Sequence, residues 1–155
     1  MDVAQELGSS SGETCQLVLV TPGTIDLFWE QVIPLFLQSS KYWEEYTSID
    51  GILASILDGE RDLWIAMDDG GVFIAMLTEI VLYPKKKVLR FALIGGSNLK
   101  KALQFLDFIE LMCVRKGIKS SEVWGRQGWL RVLKRNGYKY QSILLSKDLS
   151  EVKEH

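Results

Sequence analysis

A single carboxylate, Glu79, stands in a predicted strand, residues 74–82, that is otherwise largely apolar. Burial disfavours the charged form of a carboxylate and raises its pKa towards the range in which a general base works. Glu79 is therefore the candidate catalytic residue. The alternative is that Glu79 lies on the solvent face of an alternating strand with Thr78 turned inward, because charged residues are almost never buried without a partner.

Two arginines could serve the same chemistry. Arg90 lies in a predicted strand, residues 88–94, where it would pair with Glu79 or with a substrate carboxylate; the alternative is one half of a cross-strand ion pair. Arg126 follows Gly125 at the end of a predicted strand and opens the next helix. A guanidinium there would bind phosphate oxygens in a bidentate manner, or would simply be solvated at the start of the helix.

A glycine pair, Gly95 and Gly96, precedes Ser97, Asn98 and the longest predicted helix, residues 99–116. The N-terminus of a helix offers unpaired N–H groups and a dipole that favours an anion. Glycines let the backbone approach that anion without a side-chain clash. The alternative is an ordinary turn from strand to helix, since a glycine pair before a helix is a weak motif.

An aromatic and acidic stretch, residues 42–46, lies between the first two predicted helices. Tyr42, Trp43 and Glu45 would there contact a cationic amine, because aromatic faces and carboxylates both attract cations. The alternative is packing at the rim of the fold with solvated acids. Three further aromatic residues are interpreted as core or helix-anchoring side chains: Trp124, Trp129 and Tyr138.

Composition excludes several classes of function. The chain has 155 residues, 47% apolar and 25% charged, as expected for one globular domain. A net charge of -2 gives no electrostatic basis for binding nucleic acid or an anionic membrane, and no run of about 18 apolar residues predicts a span. Two cysteines and one histidine, His155, predict no metal site and exclude most Ser/His and Cys/His schemes. Free thiols fit a reducing compartment, so a cytoplasmic location is expected.

Apolar periodicity predicts the element order β-α-α-β-β-β-α-β-α-β in one α/β domain, residues 13–149, between disordered tails at 1–12 and 150–155. Pro34 predicts a kink or break in the first helix. The sequence Asp-Asp-Gly-Gly at 68–71 predicts a hairpin. A last strand is predicted over residues 140–146.

That order resembles the GNAT (N-acetyltransferase-like) superfamily over residues 15–148, in particular small uncharacterised GNAT-like proteins of phages and prophages, in which Gly-Arg-x-Gly-Trp and Gly-Tyr recur as at 125–129 and 137–138. The resemblance implies a mixed, mostly antiparallel sheet flanked by helices, with its fourth and fifth strands splayed around acetyl-CoA. It implies cofactor contacts at Leu93, Ile94, Gly95, Gly96, Ser97, Asn98 and Arg126. Its acceptor contacts would be Tyr42, Trp43, Glu45 and Arg90.

Two departures from the family pattern bear on activity. The tyrosine that often reprotonates the coenzyme A thiolate in this superfamily is replaced by Leu133, which has no proton to donate. The pyrophosphate motif is incomplete, with Leu93, Gly96 and Asn98 at its key places.

Two functions follow as alternatives. One is an acyl-CoA-dependent N-acyltransferase that uses Glu79, or a base acting through water, on a small-molecule or protein amine.

The other alternative is a catalytically inactive binding or structural protein of the same fold, such as a phage accessory or virion-associated factor, because a fold does not fix a function. A homodimer is compatible with both. The lysine run at 85–87 is a solvated turn or, as a third hypothesis, a contact for an anionic partner.

Overall fold

The computed structural model describes residues 4–8, 14–124 and 127–153, which divide into two compact units, Met1–Gly125 and Arg126–His155. The first unit holds one six-stranded sheet with the order β1-β2-β3-β4-β5-β6. Its elements are β1 (Ala4–Gly8), β2 (Thr14–Val20), α1 (Trp29–Leu37), α2 (Ile49–Leu57), β3 (Asp62–Asp68), β4 (Gly71–Leu82), β5 (Lys87–Gly96), α3 (Leu99–Arg115) and β6 (Ser120–Val123). The second unit contains α4 (Gln127–Lys134).

Strands β1 to β5 are antiparallel neighbours in chain order, whereas β6 pairs with β5 in parallel. A parallel pair needs a crossover connection, and α3 supplies it. The predicted mixed, mostly antiparallel α/β sheet is therefore confirmed. Among the described residues, no helix is both long and apolar enough to span a bilayer.

The hairpin between β3 and β4 forms where the sequence predicts it. Asp68 pairs with Gly71, and the Asp68 carboxylate accepts a hydrogen bond from the Gly70 amide at 2.8 Å. Gly71 has φ of +106°, a conformation that glycine adopts without a side-chain clash. The turn residues therefore fix the register of the two central strands.

Successive side chains of a strand point to opposite faces, so the sheet buries two layers. One layer packs against α1 and α2, with a fully buried centre at Val32, Phe36, Ile52, Ile56, Leu63, Ile65, Ala75 and Leu77. The alternate strand residues, such as Trp64 and Met76, are buried on the opposite face. There the Trp64 indole donates to the Thr78 hydroxyl at 3.1 Å. Lys101 of α3 contacts Cys15 on this face, so α3 begins over β2.

Two predictions at the ends of the sheet were wrong. Ala4–Gly8, in the predicted disordered tail, forms β1, because its backbone pairs with β2 from Ala4↔Val18 to Gly8↔Thr14. The predicted last strand, residues 140–146, is absent, and its central Leu144 is 84% exposed. A strand pattern needs a neighbouring strand to pair with. Helix α1 runs through Pro34 without a break, held by the burial of Val32 and Phe36 on either side.

Candidate functional site

The parallel pairing covers the four residues of β6, while β5 continues to Gly96, and this unpaired part of β5 defines the candidate site. The pairing runs from Val88↔Ser120 to Phe91↔Val123, and the Trp124 amide then donates to the Phe91 carbonyl at 3.1 Å. We call this point, marked by Phe91 and Trp124, the vertex. Beyond it, no described strand pairs with residues 92–96 of β5 on the β6 side. This unpaired edge lies at the place where the resemblance predicts the splay.

An irregularity in β5 lies directly beyond the vertex. Leu77 pairs with Leu93 and Thr78 with Phe91, so Ala92 is an extra residue that the register skips. Such a bulge bends its strand and increases the local twist. The irregularity of β5 therefore lies where its pairing with β6 ends.

The backbone of β5 presents polar groups along this open edge. Ser97 donates its amide to the Phe73 carbonyl at 3.0 Å, and Gly96 lies directly opposite Ile74. Antiparallel residues alternate between pairs that exchange hydrogen bonds and pairs that do not, so Ile94 and Gly96 direct their N–H and C=O groups away from β4. The open edge therefore offers donors and acceptors to an extended ligand.

The two glycines lie in β5 and not in a turn, which corrects the predicted boundary. A Cβ on Gly95 would collide with the Leu35 carbonyl oxygen of α1. Gly96 has φ of +127°, and a Cβ there would collide with the Phe73 carbonyl oxygen. Close approach of the neighbouring backbones thus explains both glycines. The turn itself consists of Ser97 and Asn98.

Helix α3 begins at Asn98, which has the left-handed φ of 62° that asparagine tolerates. Its carbonyl accepts from the amides of Lys101 and Ala102 at 3.1 and 3.2 Å, and its side chain accepts from Lys101 at 3.5 Å. The first N–H groups of a helix have no partner within the helix, so the amides of Leu99 and Lys100 are donors for an anion. Ser97 and Asn98 are exposed beside them.

Glu79, the predicted base, is held by two arginines. Arg61 donates to one carboxylate oxygen at 3.3 Å and Arg90 to the other at 3.3 Å. Glu79 and Arg90 are direct partners in the β4–β5 register. The structure brings these two predicted site residues together as the cross-strand ion pair that was the alternative for Arg90. The Glu79 side chain is 20% exposed, so it is neither solvated nor isolated.

Arg90 is the centre of a larger polar cluster near the vertex. Its guanidinium donates to Glu122 at 2.6 Å and to the Tyr83 hydroxyl at 3.0 Å. Burial alone would lower the pKa of Arg90, but hydrogen bonds and charge attraction from Glu122 and then Glu79 outweigh it and raise that pKa. The guanidinium therefore stays charged and fixed in position.

Trp124 was missed by the sequence analysis. Its ring stacks on the Arg90 guanidinium, 4.1 Å from the ring centroid, yet the residue is 61% exposed. The interpretation of Trp124 as a core or helix-anchoring residue is therefore wrong. The residue ends a short strand and faces solvent on the side away from Arg90. A tryptophan one residue beyond an amphipathic four-residue strand is the only sequence signal, and it does not distinguish the two placements.

The predicted acceptor wall divides into one half-buried and two exposed residues. Trp43 packs against the core beneath α1 and donates its indole N–H to the Phe36 carbonyl at 3.2 Å. Tyr42 is 50% exposed, with the Lys41 ammonium 5.0 Å from its ring, and Glu45 is exposed. Trp43 thus anchors the connection between α1 and α2, in agreement with the alternative of packing at the rim of the fold.

The remaining predicted positions belong to other parts of the chain. Leu93 packs against the core, so only its backbone lies on the open edge. Leu133 is buried in α4 of the second unit, and Trp129 and Tyr138 are half-buried. Arg126 lies outside the described residues.

No protein-family model matches the sequence, and no curated protein does. Solved structures match it closely in shape. An aminoglycoside N-acetyltransferase, AAC(6')-Iy in complex with CoA, has a TM-score of 0.63 at 15% identity, over 90% of this chain and 98% of that one. A GCN5-related N-acetyltransferase from Ralstonia eutropha JMP134 has a TM-score of 0.63 at 9% identity, over 88% and 99%.

A third similar structure is the aminoglycoside acetyltransferase meta-AAC0020, from an uncultured soil metagenomic sample, in complex with sisomicin. Its TM-score is 0.61 at 8% identity, over 88% of this chain and 97% of that one. At these identities the likeness concerns the fold. Together with the mixed, mostly antiparallel sheet and its parallel β5–β6 pair, it shows that the chain has the fold of the GNAT acetyltransferases.

Proposed function

We propose that the chain is an acyl-CoA-dependent N-acyltransferase that uses acetyl-CoA and acts on an amine. The observation that carries the proposal is the open edge of β5 beyond the vertex, in a chain with the GNAT fold. Acetyl-CoA would supply an activated thioester for attack by the amine. The contribution of the chain is to bind that co-substrate, to orient it and to place the acceptor beside it.

The open edge fits a long ligand with an anionic end. From Gly96 to Ala92 the strand extends about 13 Å at roughly 3.3 Å per residue. We place the pyrophosphate at Gly96, Ser97 and Asn98, where the start of α3 favours negative charge. The amide arm would follow the backbone of Gly95, Ile94 and Leu93 towards the vertex. The close approach of the neighbouring backbones already explains why positions 95 and 96 are glycines. The glycines therefore add nothing to the argument for a phosphate.

Glu79 remains the proposed base, acting directly or through water. Both of its oxygens accept hydrogen bonds from arginines, so direct proton abstraction would require one of these bonds to open. The arrangement therefore favours a water molecule between Glu79 and the amine. Tyr42, Trp43, Glu45 and Arg90 stay the proposed acceptor contacts, with Trp43 acting as an anchor for the other two residues of its segment.

The second candidate function is a GNAT-fold binding protein without catalysis. It is favoured by Leu133, which is buried and apolar at the place where the superfamily often has a tyrosine that acts as a general acid. It is also favoured by the two ion pairs in which Glu79 takes part. The resemblance to phage and prophage proteins supports an accessory or virion-associated role for such a protein. A cytoplasmic location and a homodimer belong to both proposals.

Calorimetric titration with acetyl-CoA tests the ligand, and an Asn98→Asp variant tests its position. Aspartate retains the helix cap but places a negative charge beside the proposed pyrophosphate site, so affinity should fall about tenfold or more. Gln104→Glu, an exposed position on the same helix, makes the same charge change as the control and should bind normally. No binding by the wild-type chain at millimolar acetyl-CoA would refute the acyltransferase.

Turnover separates the two candidate functions. Release of free thiol from acetyl-CoA in the presence of a panel of primary amines is expected for the enzyme. Binding of acetyl-CoA without release of thiol for any amine, above the rate without protein, would favour the inactive binding protein.

A further inference from the structure

The indole of Trp124 occupies a defined position relative to the open edge. Its amide donates the last hydrogen bond of the vertex, to Phe91, so the residue lies where the pairing of β5 with β6 ends and the open edge begins. The side chain is 61% exposed. An indole presents a large, rigid apolar surface with few rotatable bonds, so an exposed one offers a flat contact surface at the end of the open edge.

The ring is held in place from one side. Arg90 lies 4.1 Å from the ring centroid, and hydrogen bonds to Glu79, Glu122 and Tyr83 fix its guanidinium. A cation over the face of a tryptophan is attracted by the electrons of the ring. The inner face of Trp124 is therefore covered by a rigid support, while the outer face is open.

The charges around the ring determine what the outer face can bind. Arg61 and Arg90 are balanced by Glu79 and Glu122, so these four groups carry no net charge. Because a cation already lies on the inner face, the outer face attracts a second cation only weakly. An apolar or aromatic group gains from stacking without this penalty.

We propose that Trp124 binds the body of the acceptor, and that it selects primary amines carried on a flat aromatic group. The inference rests on the proposed acyltransferase function, since it places the acceptor at the vertex end of the co-substrate. The amino group itself would extend past the edge of the indole towards the open edge of β5. Small aliphatic amines lack the surface that the ring contacts.

Steady-state kinetics with two matched amines tests the selection. 2-Phenylethylamine and propylamine both carry a primary amine, and only the first carries an aromatic ring. For the wild-type chain the ratio kcat/KM should be higher with 2-phenylethylamine. Trp124→Ala should raise the KM for this amine about tenfold, with kcat nearly unchanged, and should leave propylamine unaffected. Trp124→Phe should restore most of the preference.

Leu27→Ala, which shortens an exposed apolar side chain elsewhere, is the control and should change neither amine. Equal loss with both amines in Trp124→Ala, or no loss with either, would overturn the proposal. Iodide quenching checks the exposure independently. Removing Trp124, one of 5 tryptophans, should abolish the most accessible part of the fluorescence, and an unchanged quenching curve would contradict the open ring.

Failure of the two proposals can be told apart. If acetyl-CoA binds and is consumed but Trp124→Ala treats both amines as the wild type does, only the acceptor inference fails. If acetyl-CoA does not bind, the proposed function fails. In that case direct titration of 2-phenylethylamine, followed by tryptophan fluorescence, still tests whether Trp124 binds an aromatic amine. Binding that Trp124→Ala abolishes supports this contact, and no binding refutes it.

Discussion

The carbonyl oxygen of Leu35 in α1 occupies the space that a side chain on Gly95 would need. Gly95→Ala would therefore push α1 away from β5, and overpacking of this kind destabilises by about 1–3 kcal/mol. Chemical denaturation should show a lower midpoint for this variant. Gly23→Ala, where a Cβ meets nothing within 4 Å, is the matched control and should retain normal stability.

The pairing of Glu79 with Arg90 predicts a measurable coupling. In a double-mutant cycle of Glu79→Gln and Arg90→Gln, the coupling free energy of unfolding should be about 1 kcal/mol, because both side chains are half-buried. It should shrink in high salt. Glu60→Gln, at an exposed neighbouring carboxylate, should show no coupling with Arg90→Gln. Zero coupling would contradict a stabilising ion pair between Glu79 and Arg90.

The buried hydrogen bond from Trp64 to Thr78 predicts the effect of an isosteric change. Thr78→Val removes the acceptor and leaves the indole N–H unpaired among buried side chains, which should destabilise the fold by about 1–3 kcal/mol. Thr78→Ser keeps the hydroxyl and should lose less. Thermal unfolding followed by circular dichroism would compare them, and equal stability of the valine and wild-type proteins would contradict the assignment.

The Cys113 thiol should react slowly at neutral pH. Burial raises its pKa, Lys116 lowers it in part, and the charges of Asp62 and Glu110 raise it further, so the net direction is upward from 9.0. Only the thiolate reacts, so the rate of alkylation by iodoacetamide should keep rising as the pH passes 9. Mass spectrometry of a Cys15→Ser variant isolates the Cys113 reaction. A rate that levels off below pH 8.5 would contradict a raised pKa.

Local patterns in the sequence predict much of the central sheet. The glycines at 70 and 71 fix a turn by their own conformational freedom, so the hairpin is predictable from four residues. The ends of the sheet are different. Strand β1 is defined by backbone pairing with β2 rather than by a pattern of side chains. Conversely, the apolar segment 140–146 has the pattern of a strand but no strand partner among the described residues.

The candidate site is predictable only in part, for a similar reason. The strand, glycines and helix that border the open edge follow one another in sequence, so reasoning along the chain finds them. The cluster around Arg90 brings together Arg61, Glu79, Tyr83 and Glu122 from separate segments. Whether Glu79 is a free base or half of an ion pair depends on those distant residues.

The crossover through α3 also sets an order of assembly. Strands β3, β4 and β5 are joined by short turns and can pair through local contacts, whereas β6 must wait until the chain from Gly96 to Ser120 has folded back as a helix. The parallel pairing at the vertex therefore forms after the hairpin of β4 and β5. Because β6 is an edge strand held by four paired residues, hydrogen exchange should find its amides opening before those of the central strands β3 and β4, and a ligand along the open edge of β5 should slow their exchange.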